Sequence, residues 1–373
     1  MGNVCCGWSR RVGEQNDRVH SRSIKIRVSS PAGSRLDVPP GVLSRPRDLI
    51  LILGQDRAGK TTVFRQAVLQ FGNKFDHVDR RVLLRELRAW VVEVVRARAR
   101  RAWRLQSPRV LDDDLNRQVQ FLMSYVAGDA DDDIMSMAFV SAVDSIWADT
   151  RIRQWSESGP NGESEWIFIS KVARIADPDY VVTDDDIVHA QIPSLDIQEA
   201  DLNCDSCGIR AVDVNQRSSH LKWLTMMDRD RRFVFFVCAV HEYDRIGCGA
   251  PSGLESSLSM FRDVCMARTM AHVPVVLLLN KVDLLEDKLR REPYADYDPT
   301  FHDSNETVPV VMHIQKRFLA ISREAQVATK MFRAVHVQMV TATRTGNVQF
   351  AIREAIRQVV LPATTRTIEF SVM

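Results

Sequence analysis

Short apolar runs punctuate the chain at intervals. Leu49 to Leu53 is one, bounded by Gly54 and followed from Lys60 by helix-compatible spacing, which predicts strand, turn and helix. Further β-rich runs at Ile209 to Val214, Phe233 to Val240, Val275 to Leu279 and His336 to Val340 alternate with helical segments and predict a mostly parallel sheet. From about Phe75 to Asp177 the character changes: Val82 to Arg104, Leu115 to Val126 and Ile134 to Ile152 carry helical spacing with few strand signals. The expected class is therefore α/β with an inserted all-helical domain. Its units would be an arm over 1–47, a sheet domain begun in 48–72 and completed in 181–373, and the helical insertion over 73–180.

Between these elements the polar stretches read as loops, at Gly247 to Ser257 and at Tyr294 to Thr307. Residues 1–47 hold Pro31, Pro39, Pro40 and Pro46, which confine any arm helix to about Gln15 to Val28. Pro362 interrupts the last helix before the tail Thr364 to Met373.

At 373 residues with 45% hydrophobic content, the chain can fill more than one core. Fifty Lys and Arg against 48 Asp and Glu leave a net charge of +2, which argues against a dedicated nucleic-acid binder. No apolar run approaches the length of a transmembrane helix, about 20 residues, and no secretory signal is expected. The seven cysteines are thus expected to be reduced. Cys204 and Cys207 have metal-ligand spacing, but no second such pair completes a zinc site, so a loop with two thiols is expected. Nine arginines lie between Arg80 and Arg104 with only Glu86 and Glu93 opposing them; a solvated helix face is expected ahead of a docking face for an acidic partner or lipid.

Candidate chemistry begins at Gly54-Gln55-Asp56-Arg57-Ala58-Gly59-Lys60-Thr61-Thr62, which satisfies GxxxxGK[ST] between a predicted strand and a predicted helix. Backbone amides at a helix N-terminus cradle phosphate oxygens, Lys60 can reach the β and γ phosphates, and the Thr61 hydroxyl can ligate Mg2+. Asp56 is discordant: a carboxylate beside a triphosphate is unfavourable unless Arg57 or Mg2+ offsets it.

Val275 to Leu279 leads into Asn280-Lys281-Val282-Asp283, placing NKxD at the end of a predicted buried strand, where open α/β sheets hold their ligands. The pattern favours guanine: Asp283 would accept from the ring N–H and exocyclic amine, Asn280 would brace the neighbouring loop and the Lys281 stem would cover the base. In Thr341-Ala342-Thr343, the Ala342 amide is a candidate to meet the guanine carbonyl.

With these motifs and the large helical insertion, residues 48–361 resemble a heterotrimeric G protein alpha subunit. Further matching stretches are Arg174-Ile175-Ala176-Asp177-Pro178-Asp179-Tyr180, Asp213-Val214, Gln216-Arg217-Ser218, Lys222-Trp223 and Asn347-Val348-Gln349-Phe350. The resemblance implies a Ras-like P-loop GTPase domain, GTP/GDP and Mg2+ as ligands, and two switch segments. The family's first switch carries a transition-state arginine, then a Mg2+-binding threonine three positions on. Counting through Asp186 to Ser194 puts Gln191 at the arginine and Ser194 at the threonine. Ser194 keeps a hydroxyl, whereas Gln191 cannot make a cationic bidentate contact, and in this family that arginine is worth on the order of a thousandfold in rate.

The second switch of the family reads Asp, any residue, two glycines, then Gln. Here it is Asp213-Val214-Asn215-Gln216, one residue short and without glycine. By resemblance Asp213 stands behind the Mg2+ ion, Asn215 offers an amide to the γ phosphate and Gln216 orients the attacking water. Slow or absent hydrolysis is expected.

Gly2 in Met1-Gly2-Asn3-Val4-Cys5-Cys6 is a candidate for myristoylation, and Cys5 and Cys6 for palmitoylation. Two acyl chains anchor stably, and the basic residues of the first fifty favour anionic lipid. The resemblance further implies a beta-gamma dimer, a seven-helix receptor, a downstream effector and a place at the cytoplasmic face of the plasma membrane. The leading expectation is a slow GTPase switch. The rivals are a non-hydrolysing, guanine-nucleotide-bound scaffold and an ATP-dependent enzyme, the latter disfavoured by NKxD.

Overall fold

The computed structural model describes residues 48–105, 113–128, 134–150, 162–192, 198–204, 207–214, 232–244 and 251–360. Its centre is β1 (Asp48–Gly54), whose seven residues are all buried, as expected of a strand covered on both faces. β1 pairs in parallel with β3 (Cys207–Asp213) on one side and with β4 (Arg232–Ala239) on the other. β4 pairs in parallel with β5 (Val275–Asn280), and β5 with β6 (Val335–Met339). At the other edge β2 (Gln198–Cys204) runs antiparallel to β3, giving the order β2-β3-β1-β4-β5-β6.

The pleat of β1 sorts the packing into two cores. Ile50 and Ile52 face one, shared with α1 (Lys60–Phe71) and with the helices of the insertion, and Leu49, Leu51 and Leu53 face the other. That second core is closed by α8 (Gly253–Met266), α9 (Val282–Leu289) and α10 (Thr307–Thr329). On the α1 side the sheet is also covered by α11 (Thr345–Ala355).

Between α1 and β2 every regular element among the described residues is helical. These are α2 (His77–Leu105), α3 (Asp113–Ser124), α4 (Met137–Ala148), α5 (Gly162–Ile169), α6 (Val172–Ala176) and α7 (Asp184–His189). Side-chain caps set two of the starts. Ser136 accepts from the Phe139 N–H at 3.2 Å before α4, and Thr183 and Asp186 form a reciprocal capping box at α7.

Several expectations are corrected. α2 starts five residues before Val82, because Asp76 and Asp79 exchange side-chain to backbone hydrogen bonds at its N-terminus and no apolar periodicity marks that turn. The arginines of α2 are not simply a solvated face. Arg88 is buried and donates to the carbonyls of Ile175 (2.9 Å) and Asp177 (2.7 Å), while buried Arg98 binds Glu165 at 2.6 Å. Arg80 reaches the Val182 carbonyl at 2.5 Å and the Asp184 carboxylate. Three of the nine therefore clamp α2 to later segments.

Cys204 and Cys207 do not lie in a loop but pair across the closing end of the β2–β3 hairpin, both as free thiols. Among the described residues no group of three or more His, Cys, Asp or Glu side chains could hold a metal, and no helix is long and apolar enough to cross a membrane. The expected loop at 247–257 gives way at Gly253 to α8, whose start is capped by Ser252 accepting from Glu255 N–H at 3.1 Å. The expected surface loop at 294–307 carries buried Tyr294 and Phe301, with ring centroids 5.2 Å apart edge to face.

Candidate functional site

The loop between β1 and α1 folds as its glycines dictate. Gly54 has φ 144°, and a Cβ there would meet the Val237 carbonyl oxygen at 2.1 Å. Gly59 has φ 101°, and a Cβ would lie 2.2 Å from Asn280 Nδ2. Both positions need left-handed backbone and both lack room for a side chain, so only glycine fits. Inside the loop, Ala58 N–H donates to the Gln55 carbonyl at 3.2 Å, and Gln55 Nε2 donates to the Ser256 carbonyl at 2.9 Å.

Lys60 is buried and its ammonium donates back to the carbonyls of Gly54 (3.0 Å) and Gln55 (2.8 Å). Burial pushes its pKa below the usual lysine value, and the carboxylates of Asp213 and Asp56 pull it back up. Thr61 donates its hydroxyl to Asp213 Oδ2 at 2.7 Å, joining the first turn of α1 to the end of β3. Thr62 is half-buried beside it, and Asp56 and Arg57 are exposed at the loop's tip.

β5 ends in buried Asn280, which holds two loops at once. Its Nδ2 donates to the Ala58 carbonyl at 2.8 Å, and its Oδ1 accepts from the Ala342 N–H at 2.9 Å. The Ala342 amide is thus engaged within the protein and would have to leave Asn280 to meet a guanine carbonyl. Lys281 turns left-handed at φ 63° and starts α9, with its pKa lowered by burial, raised by Glu242 and lowered by Arg57. Asp283 lies in the first turn of α9, half-buried, and accepts a long 3.5 Å contact from Thr341 Oγ1. Beside it opens a groove of about 530 Å³ bordered by Asp283, Glu286, Asp287, Thr341 and Arg344; neither Lys60 nor Thr61 lines it.

Exposed Gln191 follows α7. Ser194, Asn215 and Gln216 lie outside the described residues, as do Gly2, Cys5 and Cys6, the arm helix at 15–28, Arg217, Ser218, Lys222, Trp223 and the tail beyond Pro362. What the structure brings together is Gly54 to Thr62, Asp213, Asn280, Lys281, Asp283 and Ala342.

Two contributors were missed in the sequence. Buried Arg65 of α1 donates to the carbonyls of Ile187 (3.2 Å) and Ala190 (2.8 Å), fixing the backbone next to Gln191. Buried Gln66 donates to the Ala342 (3.3 Å) and Thr343 (3.4 Å) carbonyls. The available signal was two adjacent polar residues in a helix otherwise rich in core side chains.

A glycine-bounded loop at a strand end, a lysine folded onto it and a second loop braced by an asparagine define the phosphate-loop class of protein. The sequence profile described as "G-protein alpha subunit" matches residues 43–360. Similar proteins include the guanine nucleotide-binding protein alpha-15 subunit of Caenorhabditis briggsae, 23% identical over 83% of this chain and 87% of the relative. A guanine nucleotide-binding protein subunit alpha of Colletotrichum trifolii is 23% identical over 87% and 91%, respectively. The alpha-6 subunit of Dictyostelium discoideum is 26% identical over 56% and 60%. The chain belongs to the G-protein alpha subunit family, as a divergent member.

Proposed function

We propose that this protein is a membrane-associated, guanine-nucleotide-dependent switch that hydrolyses GTP slowly. In this reading the sheet and its covering helices form a Ras-like GTPase domain, completed over 181–373, and helices α2 to α6 form a domain inserted over 73–180. The observation that carries it is the double tie of Asn280 to Ala58 and Ala342, which joins the phosphate loop to the base-selecting loops in one site. Amides of Gly54 to Thr62 and the Lys60 ammonium hold the phosphates, while Lys281 and Asp283 select guanine.

The oxygen donors at Thr61 and Asp213, 2.7 Å apart beside the phosphate loop, suit Mg2+, a hard cation that takes few protein ligands and completes its shell with water and phosphate. Thr61 and Ser194 would hold the ion directly and Asp213 from behind. When bound, Mg2+ supplies charge neutralisation on the β and γ phosphates. Gln216 orients the water and Asn215 offers its amide to the γ phosphate. Gln191, uncharged and exposed, supplies no cation at the position given to arginine in the family, so turnover is slow.

Acylation at Gly2 and at Cys5 or Cys6 anchors the chain at the cytoplasmic face of the plasma membrane, where a beta-gamma dimer, a seven-helix receptor and a downstream effector would engage it. Gln191 and Asn215 also favour a second reading, a non-hydrolysing scaffold that retains its nucleotide. Single-turnover release of phosphate from preloaded GTP, with and without Mg2+ and in a Gln216→Leu variant, separates the two. Mg2+-dependent release lost in the variant is expected; stable GTP retention supports the scaffold, and failure to load guanine nucleotide overturns both.

A further inference from the structure

One residue of the phosphate loop breaks a local rule. The Ala58 N–H to Gln55 carbonyl bond makes Asp56 and Arg57 the central pair of a turn, and Arg57 takes φ 62°. A left-handed residue at this turn position is ordinarily Gly or Asn, and a residue with a Cβ is strained there. Strain of this kind clusters at ligand-binding loops, and here it falls inside the phosphate loop.

The other cations nearby are engaged. Lys60 is folded onto the Gly54 and Gln55 carbonyls, Arg65 onto those of Ile187 and Ala190, and Lys281 lies beside half-buried Glu242. Arg57 is exposed and, although its charge is felt by Glu242 and Lys281, its guanidinium forms no hydrogen bond or ion pair among the described residues. Its charge sits one residue from Asp56, the carboxylate that would otherwise repel a triphosphate. The family position for a transition-state cation holds uncharged Gln191.

We infer that Arg57, from within the phosphate loop, supplies the cation that Gln191 lacks. The inference rests on the GTP-hydrolysing reading above. In the reaction the water oxygen bonds to the γ phosphorus as the bond from that phosphorus to the β–γ bridging oxygen breaks. The electron pair leaves on GDP and the water's proton passes to inorganic phosphate. The guanidinium offsets the negative charge that builds on the leaving oxygens, which a neutral side chain at 57 cannot do.

The test is single-turnover hydrolysis together with GDP and GTP affinity for the wild type, Arg57→Ala, Arg57→Lys and Arg57→Ala/Gln191→Arg. The expected result is a loss of at least tenfold in rate in Arg57→Ala, clearly larger than its loss in affinity, with partial retention in Arg57→Lys and recovery in the double variant. Wild-type turnover in Arg57→Ala, a rate loss matched by lost affinity, or no recovery in the double variant would overturn the inference. A wild type that binds GTP without releasing phosphate also overturns it while leaving guanine-nucleotide binding intact. One that binds no guanine nucleotide instead removes the reading beneath it.

Discussion

The side-chain amide of Asn280 occupies the space that a Cβ on Gly59 would need, at 2.2 Å, while donating to the carbonyl of Ala58 at 2.8 Å. Gly59 is therefore a packing requirement as much as a conformational one. Gly59→Ala is expected to displace Asn280 and cost nucleotide affinity at least tenfold. Asn280→Ala leaves the buried Ala58 carbonyl and Ala342 amide unsatisfied and should destabilise the fold by about 2–4 kcal/mol. Isothermal titration with GDP and chemical denaturation check the two effects.

Selectivity for guanine is expected to depend on Asp283. A site built to accept two N–H donors loses discrimination once the acceptor is gone, so Asp283→Ala should lower the preference for GTP over ATP by about a hundredfold or more. Competition binding with both nucleotides measures it.

Arg65 is a structural tie with functional reach. Arg65→Met removes the donors to Ile187 and Ala190 while keeping most of the buried volume, and two carbonyls lose their partner. The expected cost is about 2–4 kcal/mol in denaturation, with faster hydrogen exchange over 187–192 than over β1.

His241 follows β4, beside Lys281 and Lys288, and burial together with these two ammonium groups pushes its pKa down to about 3. The unfolded chain takes up a proton near pH 6.5 that the folded protein refuses. The folded pKa is depressed, so this contribution to stability is complete above 6.5 and is lost as pH falls from there towards 3. Between pH 7.5 and 5 the loss is about 2 kcal/mol. Denaturant melts at the two pH values should show that difference shrinking in His241→Asn.

Much of this architecture was legible because β1, β4 and β5 are buried on both faces and so read as continuous apolar runs, while α2 to α4 keep helical spacing. β2 escaped because its inward positions are only Ala200, Leu202 and Cys204, alternating with Glu199, Asp201 and Asn203, an edge strand with little apolar bulk. The phosphate loop and NKxD were legible because their spacing is local. The clamps made by Arg65, Arg88 and Arg98 were not, since each pairs with carbonyls or a carboxylate distant in sequence, and a buried arginine has the same letter as a solvated one.

In the antiparallel register of the β2–β3 hairpin, Gln198 lies directly opposite Asp213. The chain thus enters β2 and leaves β3 side by side, with Ser194 four residues before that point and Gln216 three residues after it. The hairpin resembles a two-tined fork whose handle is the Cys204–Cys207 pair. Under the proposed function, the segments carrying Ser194 and Gln216 adjoin paired positions of one hairpin, so a nucleotide that moves one would bear on the other.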